Sequence, residues 1–432
     1  MTVFFTYTVL VVLAGSTILG VMGGVLGCFT LLRRQSLLGD ALAHAALPGV
    51  CVAFLLTGSK QPIPLLLGAL GAGIAGALLI LAVVRWSRVK EDAAIGIVLS
   101  TFFGTGIVLL GRIQRLPGGN QSGLDKFLFG QAAALVGDDL VLMGSLAAAV
   151  LLAIGLGFKE WKLLTFDRAF GASLGYPMRG LEIALTCLLV VVVVIGLQTV
   201  GVVLMVATLV TPAAAARQWT DRLSTMTLLA AAIGGASGAA GAFLSATVPK
   251  LPTGPTIVLA SSVLLLLSLF FSPKRGLLQA AVRERRFTAR ICRENLLKDM
   301  YLIGERGPGH AAFVSRPALM GSRGQGAAEL ERHARPLARA GLVERSSDAL
   351  RLTARGLDEA ARLVRKHRLW EVYLAHRLEL PPDHVHRDAE AMEHALSEEA
   401  VDDLDLRLGF PATDPHGREI PRRGRAGSAE AR

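Results

Sequence analysis

Uncharged apolar runs of about twenty residues recur through residues 1–272 and then stop, and no other feature restricts the fold so severely. "IPLLLGALGAGIAGALLILAVV" (Ile63 to Val84) is one of them. A hydrocarbon core of roughly 30 Å takes a helix of about 20 residues, and inside it every backbone polar group must be satisfied within the chain. The pattern therefore predicts an all-α polytopic membrane protein with about 8–9 transmembrane helices, read near 8–32, 38–57, 63–84, 93–111, 137–157, 181–197, 201–216, 224–246 and 255–272. The run from Leu181 to Ala216 is interrupted only by "LQTVG". It is too long for one span and tight for two, so it predicts two short or broken helices, a form that usually lines a cavity.

Alternating the connections places thirteen lysines and arginines inside and five outside, which favours an outer N-terminus and a cytoplasmic C-terminus. The first apolar run is too long for a signal peptide. Cys28, Cys51, Cys187 and Cys292 show no CxxC spacing, so neither a disulfide framework nor a thiolate metal site is indicated. Glycines four apart recur, as in Gly20 with Gly24, Gly23 with Gly27 and Gly234 with Gly238, which fits close helices beside a path or plain helix packing.

Beyond Pro273 charges become dense. "KRGLLQAAVRERRFTARICRENLLK" (Lys274 to Lys298) carries eight basic residues against two acids and reads as a basic juxtamembrane linker, 273–298, for an anionic leaflet. Helical runs follow, then "GLVERSSDALRLTARG" (Gly341 to Gly356), which predicts two short strands around a polar turn. Helices followed by a hairpin suggest a small α+β winged helix over 299–365, and the helical remainder is 366–432.

Asp40 and His44, at i and i+4 in "LLGDALAHAALPGV", share one face of an apolar helix. Intramembrane ionisable residues mark pathways by default, and His44 is the one histidine of nine before residue 300. A carboxylate with an imidazole suits a divalent transition metal such as Mn, Zn or Fe rather than an organic solute or cofactor. No GxxxxGK[ST] loop occurs, so P-loop ATP hydrolysis belongs to another subunit and the chain is not itself an enzyme.

"RRQSLLGDALAHAALPGV", "FDRAFGASLGYP", "TLVTPAAAARQW" and "LPTGPTIVL", in that order, resemble the permease subunits of manganese, zinc and iron ABC importers. The resemblance covers most of residues 8–272. It implies a type II importer permease in the bacterial inner membrane, working as a homodimer or a paired permease. Its expected partners are a cytoplasmic ATPase and an extracytoplasmic metal-binding protein. It also implies that Asp40 and His44 contact the ion in the pathway, and that the loop holding Phe166, Asp167 and Arg168 contacts the ATPase.

In the tail, "RKHRLWEVYL" sets His367 and Glu371 at i, i+4, and "HVHRDAEAMEHALS" places His386, Glu390, Glu393 and His394 within an arc of about 100° if it is one helix. A charged helix face is usually only solvated, and His376 and His384 are read that way. From "NLLKDMYLIGERG" to "LGFPATDPHGREIP" the tail resembles the diphtheria-toxin-repressor and manganese-regulator family. That resemblance implies a principal metal cluster of His367, Glu390, Glu393 and His394, with His367, Glu371 and His386 as ancillary ligands. The carboxylate at position 390, where iron-type members carry a cysteine, leans toward manganese. The first-helix positions that offer acidic ligands in manganese-type members read here as Met300 and Ile303, with Asp299 adjacent. Pro336 interrupts the segment expected to read DNA, which argues against DNA as a partner.

The sequence thus predicts a metal-importing permease joined to a metal-sensing regulatory domain. A membrane-tethered transcription regulator and an importer of a metal chelate or cofactor are the competing readings.

Overall fold

A computed structural model describes residues 7–58, 61–115, 130, 132, 135–202, 204–307, 309–310, 312–377, 390, 392–394 and 396–422, which divide into two compact units, Met1–Ala280 and Ala281–Arg432. Among the described residues the first is built of helices: α1 Tyr7–Leu32, α2 Leu38–Thr57, α3 Pro62–Trp86, α4 Glu91–Ile113, α5 Gly137–Leu156, α6 Phe158–Phe166, α7 Arg168–Ser173, α8 Met178–Thr199, α9 Met205–Trp219, α10 Leu223–Thr247 and α11 Thr253–Phe271. Among the described residues, eight helices are long and apolar enough to cross a membrane. The predicted ninth, α9, has only 15 residues, about 22 Å at 1.5 Å per residue, and falls short of the bilayer core. The long apolar run breaks because Gly201 takes φ 86°, a left-handed conformation that ends α8. One of the two expected broken helices is therefore a full-length span of 22 residues, and the other is short.

Glycine decides how these helices meet. A Cβ on Gly20 of α1 would sit 2.0 Å from the Gly234 carbonyl oxygen of α10, and one on Gly24 would sit 2.2 Å from that of Ala230. On a neighbouring face of α1, a Cβ on Gly27 would meet the Leu209 oxygen of α9 at 1.9 Å. Small residues thus bring α1 into backbone contact with two helices at once, which gains dispersion energy where lipid supplies no hydrophobic drive. Helix α2 meets α3 in the same way, through Gly49 and Gly68. The sides away from these seams keep exposed leucines and valines such as Leu56, Val108, Leu228 and Leu259, as lipid-facing surfaces should.

The second unit begins within α12, Leu277–Arg306, and continues with β1 Val314–Ser315, α13 Arg316–Arg323, α14 Ala327–Arg339, β2 Val343–Arg345, β3 Ala349–Leu352, α15 Ala354–Arg377 and α16 Glu398–Arg407. The predicted hairpin is present: β2 pairs antiparallel with β3 in the register Val343 to Leu352, and β1 joins the other edge of β3. Alternation along β3 turns Leu350 and Leu352 into a core with Leu297, Met300, Leu319, Leu330 and Leu337. Helix α14 runs on through Pro336, which lies in its last turn. A second core of Leu369, Val372, Val401, Leu404 and Ile420 joins α15 to α16.

Candidate functional site

Asp40 and His44 lie in the first two turns of α2, about 3 and 9 Å from its start. Their neighbours Ala41, Ala43, Ala45 and Ala46 are fully buried, while Asp40 and His44 keep partial exposure on one face. His44 Nε2 is 3.5 Å from Asp40 Oδ1, a long contact that satisfies neither group well. The imidazole stands edge-on to Phe103 of α4, with ring centroids 4.6 Å apart and planes at 77°, and its buried Nδ1 has no hydrogen-bond partner among the described residues. A carboxylate beside an imidazole with an unused nitrogen is a partial donor set for a divalent ion that keeps some of its waters.

The expected loop at 166–168 is a junction of two short helices. Phe166 ends α6, Arg168 begins α7, and Asp167 caps α7 by accepting the Phe170 N–H at 2.9 Å. Arg168 is fixed to Glu182 of α8 at 2.8 Å, and Glu182 also holds Arg33 at 2.7 Å. With those charges tied down, Phe166 and Phe170 remain as exposed aromatics.

In the second unit the sequence-predicted cluster partly assembles. His386 lies outside the described residues. Glu390 is helical, but Glu393 and His394 are in a turn, so the predicted arc on one continuous helix does not hold there. Tertiary packing gathers the groups instead. His367 Nδ1 is 2.5 Å from Glu393 Oε2, and its Nε2 is 3.2 Å from Glu371 Oε1. His394 Nδ1 is 2.6 Å from Glu294 Oε2, and its Nε2 is 3.1 Å from Asn295 Oδ1.

Lys298, which sequence reasoning counted only within the basic linker, reaches the middle of this group. Its Nζ donates to Glu393 Oε1 at 2.6 Å and stands 3.9 Å from Glu390 Oε1, with the Lys298 side chain 3% and that of Glu393 0% exposed. Arg323 bonds Glu390 at 2.8 Å and Asp299 at 2.6 Å. The first-helix positions that reach the cluster are therefore Glu294, Asn295 and Lys298; Met300 is buried in the apolar core, with Ile303 packed against it. A pattern was available, since Asn295 and Lys298 are three apart and fall on one helical face.

The electrostatics fit an internally paired network. Burial pushes the Glu393 carboxyl up, but hydrogen bonds and charge from His367 and Lys298 outweigh it and hold the group below its ordinary range. Burial likewise works against the His367 imidazolium, and the carboxylates of Glu371 and Glu393 overcome it and raise the pKa. A metal needs free lone pairs on neutral imidazole and unpaired carboxylate oxygens. Here both nitrogens of His367 and of His394 face oxygen, and among the described residues no group of three or more His, Cys, Asp or Glu is arranged to hold an ion. The described residues, with the Lys298 ammonium among them, do not fit the metal that the tail's resemblance implies.

Comparison with known proteins places the first unit. Residues 6–272 match the ABC 3 transport family. The chain belongs to that family. Among relatives of this permease, the manganese transport system membrane protein MntC of Bacillus subtilis is 46% identical over 370 residues, 85% of this chain and 84% of that one. The zinc transport system membrane protein TroC of Treponema pallidum is 46% identical over 66% of this chain and 96% of its own length. Among solved structures, PsaBC from Streptococcus pneumoniae in complex with Fab matches with a TM-score of 0.57 and 32% identity, covering 64% of this chain and 96% of that one. Residues 353–422 of the permease match the iron dependent repressor metal binding and dimerisation domain.

Proposed function

We propose that this permease is the membrane subunit of an ATP-driven importer of divalent transition metal ions, with manganese as the first candidate and zinc or iron as alternatives. The observation that carries the reading is the Asp40 and His44 pair, set on one face of a buried helix with His44 Nδ1 unpartnered among the described residues. Relatives named for manganese and for zinc transport support the cargo class. The ion exchanges part of its water shell for the Asp40 carboxylate and the His44 imidazole. Two donors leave several positions to water or to a second protomer across a homodimer. ATP hydrolysis falls to a separate cytoplasmic subunit that docks on Phe166, Asp167 and Arg168, and the ion arrives from an extracytoplasmic metal-binding protein. The second unit lies in the cytoplasm and acts as a regulatory domain on transport.

Uptake of radiolabelled manganese and zinc by cells expressing Asp40→Ala or His44→Ala, at matched membrane abundance, tests the pathway. Loss of a direct ligand should cost more than about ten-fold, the lower end of what supporting groups around metal sites contribute. Parental uptake by both variants would refute the assignment.

A further inference from the structure

We infer that the second unit is held in its assembled arrangement by an internal cation, the Lys298 ammonium, in place of a bound metal ion. Three observations carry this, and none depends on the transport reading. First, Lys298 Nζ lies between the two carboxylates that the tail's resemblance makes metal ligands, 2.6 Å from Glu393 and 3.9 Å from Glu390. Second, the Lys298 side chain is 3% exposed, so the ammonium has left water for this cluster and depends on the oxygens around it. Third, the other candidate ligands are engaged by partners within the protein. His367 spans Glu371 and Glu393, His394 spans Glu294 and Asn295, and Glu390 is held by Arg323.

An ion entering this cluster would have to displace the ammonium and also separate the imidazoles from their carboxylates. A positive charge fixed by a covalent side chain joins the helix carrying Lys298 to the segment carrying Glu390 and Glu393, the connection a dissociable ion would otherwise make. The arrangement is therefore independent of cytoplasmic metal.

The test uses the full chain in lipid nanodiscs, with Asp40→Ala and His44→Ala present so that pathway binding does not contribute. Co2+ is titrated by its visible absorption and Mn2+ by loss of its free-ion resonance signal. The chain with Lys298 should show no saturable site that Glu393→Gln removes, whereas Lys298→Glu should create one and tighten Mn2+ binding on the order of ten-fold or more. A Co2+ spectrum in the Lys298 chain that vanishes with Glu393→Gln would overturn the inference. If Lys298→Glu does not fold, Lys298→Met removes the ammonium without adding a charge. Hydrogen exchange across residues 290–300 and 363–374 should then accelerate in metal-free buffer and slow again with Mn2+. Unchanged exchange in metal-free Lys298→Met would equally overturn it.

Discussion

Glu393, His367 and Glu294 each titrate away from their ordinary range, and the directions of those shifts set how the second unit responds to pH. Glu393 and Glu294 are depressed: burial opposes this, but His367 and Lys298 around the first, and His394 and Arg290 around the second, prevail. Their stabilisation is present above the unfolded carboxylate value of about 4.3 and is lost as pH falls through the folded values. His367 is raised, so its contribution is complete below about 6.5 and is lost as pH rises through its folded value. The second unit should therefore be most stable in mildly acidic solution and weaken on both sides. Hydrogen exchange of peptides from residues 290–300 and 363–374 across a pH series, corrected for intrinsic exchange, measures this; monotonic protection would contradict it. At this scale the sequence showed the residue types and hid their partners. His367, Glu390, Glu393 and His394 are legible as candidate ligands, but Lys298 looks like a linker charge in sequence because its burial depends on a residue ninety-five positions away. The sequence alone puts Met300 and Ile303 in the ligand positions because the helical register is not fixed by the apolar pattern.

Among the helices, the contact of α1 with α10 gives the sharpest expectation. A methyl group on Gly20 would lie 2.0 Å from a backbone oxygen that no rotamer change can move, so Gly20→Ala must part the two helices. Overpacking of this kind costs about 1–3 kcal/mol. Gly71 in α3 is helical too, yet a Cβ there meets nothing within 4 Å. Thermal unfolding of the purified chain should fall by several degrees for Gly20→Ala and hold or rise for Gly71→Ala, since alanine is the better helix former. Equal Tm values would show that the glycine seam does not matter. Element existence was largely legible, because apolar runs of span length leave helices little alternative. The hairpin was legible too, through the polar turn between Val343 and Leu352. The break at "LQTVG" was legible as well, since α8 ends at Thr199 and Gly201 takes φ 86°; the start of α8 at Met178 was not, because Arg179 and Glu182 precede the uncharged run that marks a span.

The molecule as a whole joins two units with separate cores, one centred on residues such as Met22, Phe29 and Leu42 and the others on Leu350 and Leu369. A chain ending after Ala280 should therefore still insert and import. If the second unit is fixed by Lys298, its removal should change uptake by one constant factor across all external manganese concentrations. Uptake curves that diverge only at high manganese would instead reveal a domain that senses the ion. Two-part organisation was plain from the shift in charge density after residue 272, whereas the roles of the parts rest on which side chains meet within each.

The backbone contact of α1 with α10 also limits how the permease moves. Sliding between helices proceeds by side chains changing rotamers at a shear surface, and at Gly20, Gly24, Gly234 and Gly238 there are few side chains to change. Those two helices must travel as one rigid body. If Asp40 and His44 are exposed to the two sides in turn, as proposed above, that change falls to seams lined by longer side chains, such as the one where Phe103 meets His44.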